Sequence, residues 1–341
     1  MTMHRDLLGN PVSTDTDAAL AGVNDFVEGI LAYETRAVRV LAAADADPTA
    51  CLTNAYAAVL HLLIESPQGP ATAEPYLRRA EAAAPGATER EEVFTAFVRA
   101  WCGDEIPEAM RLGLRLIRKD PRDLLTVKLL HYHAFNAGRF AEMLRIVELT
   151  ASANADVAWM HGMAAFAYEQ CHLLDEAEAA ARRALALRRK EPWAQHALAH
   201  VMLTRGRIEE GAAFLEGVRD TWVDLNSFME THLWWHLALF RLSQGRMAEV
   251  LEIYDRHCWG VAKDYSQDQA GAVSLLARLE VSGVDVGDRW AELGAYLAAR
   301  GLDVVQPFLA LQYLYGLGRA GRPEADALMA AIAGRAAKAP D

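Results

Sequence analysis

Four residues that precede acidic, alanine-rich segments recur at a constant interval along the chain. They are Asp104, Gly138, His172 and Gly206, and each lies 34 residues after the one before it. The small or apolar residues that follow them keep the same interval: Ala109, Met143, Ala177 and Gly211. A period of 34 residues is that of the tetratricopeptide repeat, a pair of antiparallel helices joined by a short turn. Since one such unit cannot bury its apolar face alone, the period predicts units that stack against one another.

The period therefore predicts an all-α fold, in which tetratricopeptide-like helical hairpins stack into a right-handed superhelix, or α-solenoid. We expect a single helical-repeat domain over residues 1–341. Residues 1–88 lack the clear period and are expected to cap the array, residues 89–257 to form the regular repeats, and residues 258–341 to form C-terminal helices. No segment shows the alternation of apolar and polar residues that predicts a β-strand.

Helical spacing of apolar residues also predicts the individual helices. One long helix is expected over about 17–44, ahead of the repeats. The predicted helix pairs of the repeats are 89–102 with 105–118, 122–136 with 139–150, 156–170 with 174–189, 192–205 with 208–219, and 227–244 with 247–257. The last pair is displaced, because Gly245 follows Gly206 by 39 residues and about five extra residues enter the turn at 220–224. Insertions in repeat proteins collect in loops, often near a binding face.

The amino-acid composition of the chain limits the kinds of binding partner that we expect. The 46 acidic residues outnumber the 34 basic residues, giving a formal charge of −12. This excess argues against a nucleic-acid partner, whose phosphates favour a basic face, and against an anionic membrane surface. The first residues contain no apolar stretch of signal-peptide length, so a cytoplasmic location is expected. The four cysteines form no CxxC pair, which argues against a disulfide framework or a thiolate zinc site.

Two pairs of histidines fall on consecutive predicted inner helices. His196 and His200 belong to one repeat, and His232 and His236 to the next. Within each pair the spacing is four residues, so both side chains stand on the same face of a helix. The first helices of successive repeats line the concave side, and adjacent packed helices lie ~8–10 Å apart. The register therefore predicts that the four imidazoles share one pocket and carry its chemistry as candidate catalytic residues.

Other residues are expected to contribute to the same pocket as ligand-binding groups. Glu169 and Glu230 are the nearest acids that could orient the imidazoles, and His161 is expected on the preceding inner helix. The neighbouring tryptophans are expected in the pocket wall; they are Trp193, Trp234 and Trp235. Two chemistries fit. The histidines could bind zinc or another borderline metal, or they could act without metal as general acid and base. Because no carboxylate stands at ligand spacing within either pair, the sequence slightly favours acid–base chemistry or direct ligand contact.

At these residues the chain resembles a known family, the tetratricopeptide repeat protein 38 family. The resemblance lies in the segments around the two histidine pairs, in 283–290 and in the opening 5–13, and it covers nearly the whole chain. It implies an all-helical repeat protein and no activity that can be named. The chain departs from the family pattern at Met202-Leu203, where members carry a glutamate, and at Leu309 and Leu311, where members carry Asp and His.

Two functions follow from these observations. The first is a pocket lined by His and Trp that binds a small molecule, with the histidine cluster acting as the site of an enzyme. The second is a non-catalytic scaffold whose groove holds a peptide or a partner protein. Peptide grooves favour Asn, Lys and Arg on the inner helices, whereas His, Trp, Ala and Leu suit a compact, partly apolar ligand. The sequence therefore favours the small-molecule pocket.

Overall fold

The computed structural model describes residues 2–338, which include 18 α-helices and one short pair of strands. The chain forms two compact units, Met1–Leu63 with Gln68–Val201 and Ile64–Pro67 with Met202–Asp341. The predicted ends at residues 1 and 341 lie outside the described residues. Among residues 2–338, none of the helices combines the length and the apolar character that a membrane span requires.

The helices of the first unit are arranged in antiparallel pairs from α5 onward. They are α1 (Asp17–Leu31), α2 (Arg39–Ala46), α3 (Cys51–Leu62), α4 (Gly69–Ala83), α5 (Glu89–Cys102), α6 (Ile106–Lys119), α7 (Leu124–Asn136), α8 (Phe140–Thr150), α9 (Ala158–Gln170), α10 (Leu174–Leu187) and α11 (Pro192–Thr204), whose last turn enters the second unit. From α5 to α10 each helix packs against the next, as a stack of helical hairpins requires. The all-α helical-repeat fold predicted from the period is therefore confirmed.

The second unit continues with the same kind of element. Its helices are α12 (Ile208–Val218), α13 (Ser227–Ser243), α14 (Met247–Ile253), α15 (Ser266–Val281), α16 (Arg289–Ala299), α17 (Pro307–Arg319) and α18 (Glu324–Ala336). A single π-helical turn, Tyr254–Cys258, extends α14. Within the unit α13, α15 and α17 pack side by side, with α14 against α13 and α16 against α17.

The 34-residue interval reflects a backbone conformation that recurs at the turn of each repeat. Asp104, Gly138, His172 and Gly206 all have positive φ angles, of 58°, 67°, 60° and 67°. Each occupies the left-handed position that turns the chain from the first helix of a hairpin into the second. Gly245, with φ of 72°, does the same after the five-residue insertion. Glycine adopts this conformation without steric cost, and Asp or His does so at a modest cost, so the position tolerates few residues.

The N-terminus contains strands that the sequence did not predict. Met3–Arg5 (β1) and Pro11–Ser13 (β2) form an antiparallel pair with Met3 opposite Ser13. The Ser13 amide donates a hydrogen bond of 3.1 Å to the Glu91 carboxylate of α5. Strands of three residues are too short for an alternation of polarity to be visible, and these two are fixed by contacts with a distant helix.

The prediction of one helix over 17–44 is wrong. α1 ends at Leu31, and a 3-10 turn, Thr35–Val38, separates it from α2. The break lies at Tyr33, whose φ is 57°, and at the buried Glu34, which forms ion pairs with distant cations. Local spacing of apolar residues cannot reveal such partners, because they lie more than 150 residues away along the chain.

Packing explains why the residue that follows the turn into α12 is a glycine, and this can be tested. A Cβ atom added at Gly211 would lie 2.2 Å from the Phe240 ring of α13, whereas one at Gly217 would meet nothing within 4 Å. We expect Gly211→Ala to lower the free energy of unfolding by about 1–3 kcal/mol, because the ring must shift in a packed core. Gly217→Ala, on the same helix, should raise it by up to ~1 kcal/mol. Urea unfolding of both variants measures this, and equal effects would contradict the packing argument.

Candidate functional site

In the first unit, α11 presents one of the predicted histidine pairs beside aromatic residues. The His196 and His200 ring centroids are 4.4 Å apart, as their spacing of one helical turn requires. Trp193 stacks on His196 at 4.5 Å, and Phe166 of α9 lies 5.4 Å from His196 and 6.1 Å from His200. His196 is only 2% exposed, whereas the His200 side chain is 26% exposed. The pair is therefore held in an aromatic setting, with one imidazole open to solvent.

Glu169 of α9 lies against this pair, as predicted. Its Oε1 atom is 3.3 Å from Nδ1 of His200, and its Oε2 atom accepts a hydrogen bond of 2.6 Å from Gln170. A carboxylate on Nδ1 fixes the ring orientation and the tautomer, and leaves Nε2 with its lone pair available. This contact therefore prepares His200 to act as a metal ligand or as a base through Nε2.

In the second unit, α13 presents the other pair. The Nε2 atoms of His232 and His236 are 3.2 Å apart. Trp235 lies parallel to the His232 ring at 5.4 Å, and Phe228 stacks near the same ring at 5.2 Å. The Arg278 guanidinium of α15 lies over Trp235 at 5.3 Å. The aromatic neighbours hold the His232 ring so that its Nε2 faces that of His236.

The distance between these two nitrogens indicates what the pair can bind. Two imidazole nitrogens bound to one zinc ion, at bond lengths of about 2.0–2.1 Å and the tetrahedral angle, stand roughly 3.3 Å apart. The distance of 3.2 Å between Nε2 of His232 and Nε2 of His236 fits this geometry. Without a metal, one proton must be shared between the two nitrogens, since two protonated nitrogens would repel each other. The pair is therefore suited to a metal ion or to a single mobile proton.

The remaining predicted site residues fall into three places. Nε2 of His161, at the start of α9, lies 3.0 Å from the Ala155 carbonyl oxygen. Glu230 lies in the first turn of α13, where burial raises the pKa of its carboxyl. Trp234 belongs to a separate aromatic group in the second unit, stacked on His257 at 3.8 Å and edge-on to Trp222 at 5.2 Å. Of the two adjacent tryptophans, it is therefore Trp235 that contacts the histidine pair.

The sequence interpretation missed two residues near the first pair. Phe166 was not singled out, and neither was Lys128, whose Nζ atom lies 4.2 Å from the Trp193 ring centroid. The repeat register contains the signal for both. Phe166 stands 34 residues before His200, and Lys128 stands 68 residues, or two repeats, before His196. Equivalent positions on successive inner helices face the same surface, so aligning the repeats would have found them.

Comparison with known proteins adds little to this geometry. No model of a known protein family matches the chain. MamA (residues 41 to the end) from Desulfovibrio magneticus RS-1 is similar with a TM-score of 0.37 and 14% identity, over 48% of this chain and 94% of MamA. The APC/C hetero-tetramer Cut9–Hcn1 is similar with a TM-score of 0.31 and 12% identity, over 95% of this chain and 79% of the other. Similarities this low carry no argument about function, so any functional proposal depends on the chain's own residues.

Proposed function

We propose that His232 and His236 of α13 bind one divalent transition-metal ion, each through its Nε2 atom. The observation that carries the proposal is the 3.2 Å separation of the two Nε2 atoms on α13. Zinc is the best fit, because neutral imidazole suits zinc and copper, and a zinc ion with open coordination positions can bind water or a substrate. Within the first unit, Glu169 acts on His200 as an orienting carboxylate, which leaves Nε2 of that imidazole available as a base.

The proposed metal serves a small-molecule site rather than a peptide groove. The turn after α1 packs against α11, with Tyr33 stacked on Trp193 at 5.2 Å. Ion pairs hold it there, since Glu34 lies 2.9 Å from Lys190 and 3.5 Å from Arg188. Because this segment covers Trp193, a compact, partly apolar ligand is a better match to the aromatic residues around the pair than an extended peptide. Membership of the tetratricopeptide repeat protein 38 family is part of this proposal, supported by the paired histidines.

A scaffold that binds a partner protein is the second candidate function. It is supported by α17, where Phe308, Leu311 and Tyr315 are 58%, 55% and 46% exposed and share one face of the helix. Exposed apolar patches on soluble domains mark sites of protein contact more often than chance. The two candidates differ in what they require of the histidines, because a scaffold of this kind needs no metal.

Metal analysis of the purified full-length chain tests the proposal. After dialysis against zinc and removal of free metal, we expect about one equivalent of zinc per chain, and a higher melting temperature than after chelation. His232→Gln and His236→Gln should each abolish stoichiometric binding. His257→Gln is the matched control, since His257 stacks on Trp234 away from the pairs and its loss should leave metal content unchanged.

Two outcomes would overturn the proposal. One is wild-type protein that binds no zinc, copper or other first-row ion above background. The other is undiminished binding in His232→Gln and His236→Gln. If the wild-type chain binds no metal and the two variants stay folded but lose binding of a small ligand, the imidazoles act by proton transfer or direct contact instead.

A further inference from the structure

Arg278 is an exposed arginine of α15 whose guanidinium is held at a fixed position in the second unit. Its Nη1 atom donates a hydrogen bond of 3.1 Å to the Ser274 carbonyl oxygen, one turn earlier on the same helix, and another to the Ser274 hydroxyl. Its Cζ atom lies 5.3 Å from the Trp235 ring centroid of α13, the helix that packs against α15. A guanidinium over an indole ring is attracted by the π electrons. The cation is therefore anchored both by its own helix and by the neighbouring one.

The remaining edge of this guanidinium is open. Within residues 2–338, neither Nε nor Nη2 of Arg278 donates a hydrogen bond, and no carboxylate forms an ion pair with it. Two other arginines of the second unit use this edge to hold a carboxylate. Arg289 donates to Asp255 through Nε at 2.8 Å and Nη2 at 2.7 Å, and Arg319 donates to Glu280 at 3.0 Å and 2.6 Å. The same pair of N–H groups on Arg278 is therefore free to receive a carboxylate from outside the chain.

Trp235 lies between this cation and the proposed metal ligands. Its ring centroid is 4.9 Å from that of His236 and 5.4 Å from that of His232. The indole thus contacts the guanidinium and both imidazoles, and Phe228 adds a second aromatic ring at 5.2 Å from His232. A small molecule that lies beside Trp235 can therefore reach Arg278 at one end and the Nε2 atoms of the histidines at the other.

We propose that the site of His232 and His236 takes a small organic acid, whose carboxylate pairs with Nε and Nη2 of Arg278 and whose second oxygen atom binds the metal ion. The second contact rests on the proposed function, because the metal supplies it. Zinc held by two imidazoles keeps coordination positions open, and an oxygen ligand can occupy one of them. Arg278 then selects the ligand by its charge, and the metal fixes the position of the other end.

The charges and rings of the site favour this class of ligand over three others. A cationic ligand would be repelled both by Arg278 and by the metal ion. A neutral ligand would leave the two N–H groups of the guanidinium without a charged acceptor. Inorganic phosphate would satisfy both charges, but it has no apolar body to lie against Trp235 and Phe228. An aromatic carboxylate with a second oxygen matches the cation, the metal and the rings together.

Titration calorimetry of the zinc-loaded full-length chain tests the proposal with 4-hydroxybenzoate, its methyl ester and inorganic phosphate. The ester keeps the ring and the phenolic oxygen but lacks the carboxylate charge. We expect 4-hydroxybenzoate to bind about tenfold or more tightly than either the ester or phosphate, because only the acid makes the charged pair as well as the ring contact. Arg278→Met should weaken binding of the acid to the level of the ester. Arg219→Met is the matched control, since the Arg219 guanidinium lies over the other tryptophan, Trp234, at 5.9 Å.

Zinc content, measured on each protein, separates this proposal from that of the metal site. Arg278→Met should keep the zinc content of the wild type, because the guanidinium is not a metal ligand. A zinc-loaded wild type that binds the acid no more tightly than the ester, or an Arg278→Met variant that binds the acid undiminished, would overturn the role of Arg278 and leave the metal site standing. Tighter binding of phosphate than of the acid would overturn the choice of an organic acid. A wild-type chain that holds no metal would overturn both proposals.

Discussion

Replacing Arg90 with leucine should lower the free energy of unfolding by about 3–5 kcal/mol, because it leaves buried carboxylates without their counter-charge. The Arg90 and Asp123 side chains are each 2% exposed, and Nη1 of Arg90 lies 2.6 Å from Oδ2 of Asp123. The same guanidinium lies 3.9 Å from the Asp6 carboxylate and donates a hydrogen bond of 2.9 Å to the Pro11 carbonyl. The arginine therefore joins the N-terminal strand pair to α5 and to the start of α7. Urea unfolding followed by circular dichroism measures the loss.

Arg99 provides a matched control on the same helix. It also pairs with two carboxylates, Glu74 and Glu81, each at 2.7 Å, but its side chain is 38% exposed. Since exposed ion pairs contribute about 0–1 kcal/mol, Arg99→Leu should have a small effect. In Arg90→Leu, adding Asp123→Asn should recover part of the stability, because one buried charge is removed. Equal losses in Arg90→Leu and Arg99→Leu would show that the buried network is not what holds the N-terminus.

The repeats were predictable because their determinants are local and periodic. The left-handed turn residue, the small or apolar residue after it and the apolar face of each helix all recur every 34 residues. Helices such as α5 and α9 were therefore predicted within two residues at each end. The N-terminal segment was not predictable in the same way. Its strands and the break at Tyr33 depend on Glu91, Arg188 and Lys190, which lie far away in the sequence. Contacts of that kind leave no periodic pattern in the chain.

The residues of the candidate site were also predictable only where their determinants are local. The two HxxxH pairs were visible because residues four apart share a helical face, and the structure shows each pair in mutual contact. The sequence did not show whether Trp234 or Trp235 contacts the histidine pair. Adjacent residues on a helix point about 100° apart, and only the position of the next helices decides which one meets the histidines. Lys128 and Glu191 were missed for another reason. A charged residue in a sequence gives no sign of its surroundings, and these two are unusual because aromatic rings lie against Lys128 and because Glu191 is buried.

His131 and His133 of α7 should lower the free energy of unfolding in acid. The effect should be large enough to measure with one double variant. They are 5% and 4% exposed, and burial lowers the pKa of His131 to about 3 and that of His133 to about 4. The nearby Lys128 also lowers the pKa of His131. Both imidazoles are therefore neutral in the folded chain at pH 5, whereas in the unfolded chain they titrate near the ordinary pKa of about 6.5.

The direction of the effect follows from proton counting. Below about pH 6.5 the unfolded chain binds protons that the folded chain does not, so stability is lost as the pH falls toward the folded pKa values. Between pH 7 and pH 5 each histidine should cost roughly 2 kcal/mol, or about 4 kcal/mol together. Asp268 and Glu191 act in the opposite direction, because burial raises the pKa of each carboxyl and the folded chain then gains protons. The pH curve of the wild-type chain alone therefore cannot isolate the histidines.

Comparing the wild type with the double variant His131→Leu/His133→Phe isolates the contribution of the two histidines. Phenylalanine at position 133 keeps an aromatic ring among Phe97, Trp101 and Tyr132. Urea unfolding at pH 7 and at pH 5 gives the stability of the variant relative to the wild type. We expect this relative stability to rise by about 4 kcal/mol on acidification, since the variant has lost the two groups that protonate only when unfolded. Asp268 and Glu191 are present in both proteins, so their contributions to the pH dependence cancel in this comparison. A relative stability that does not change with pH would mean that both imidazoles protonate in the folded chain, and that α7 opens to solvent near pH 5.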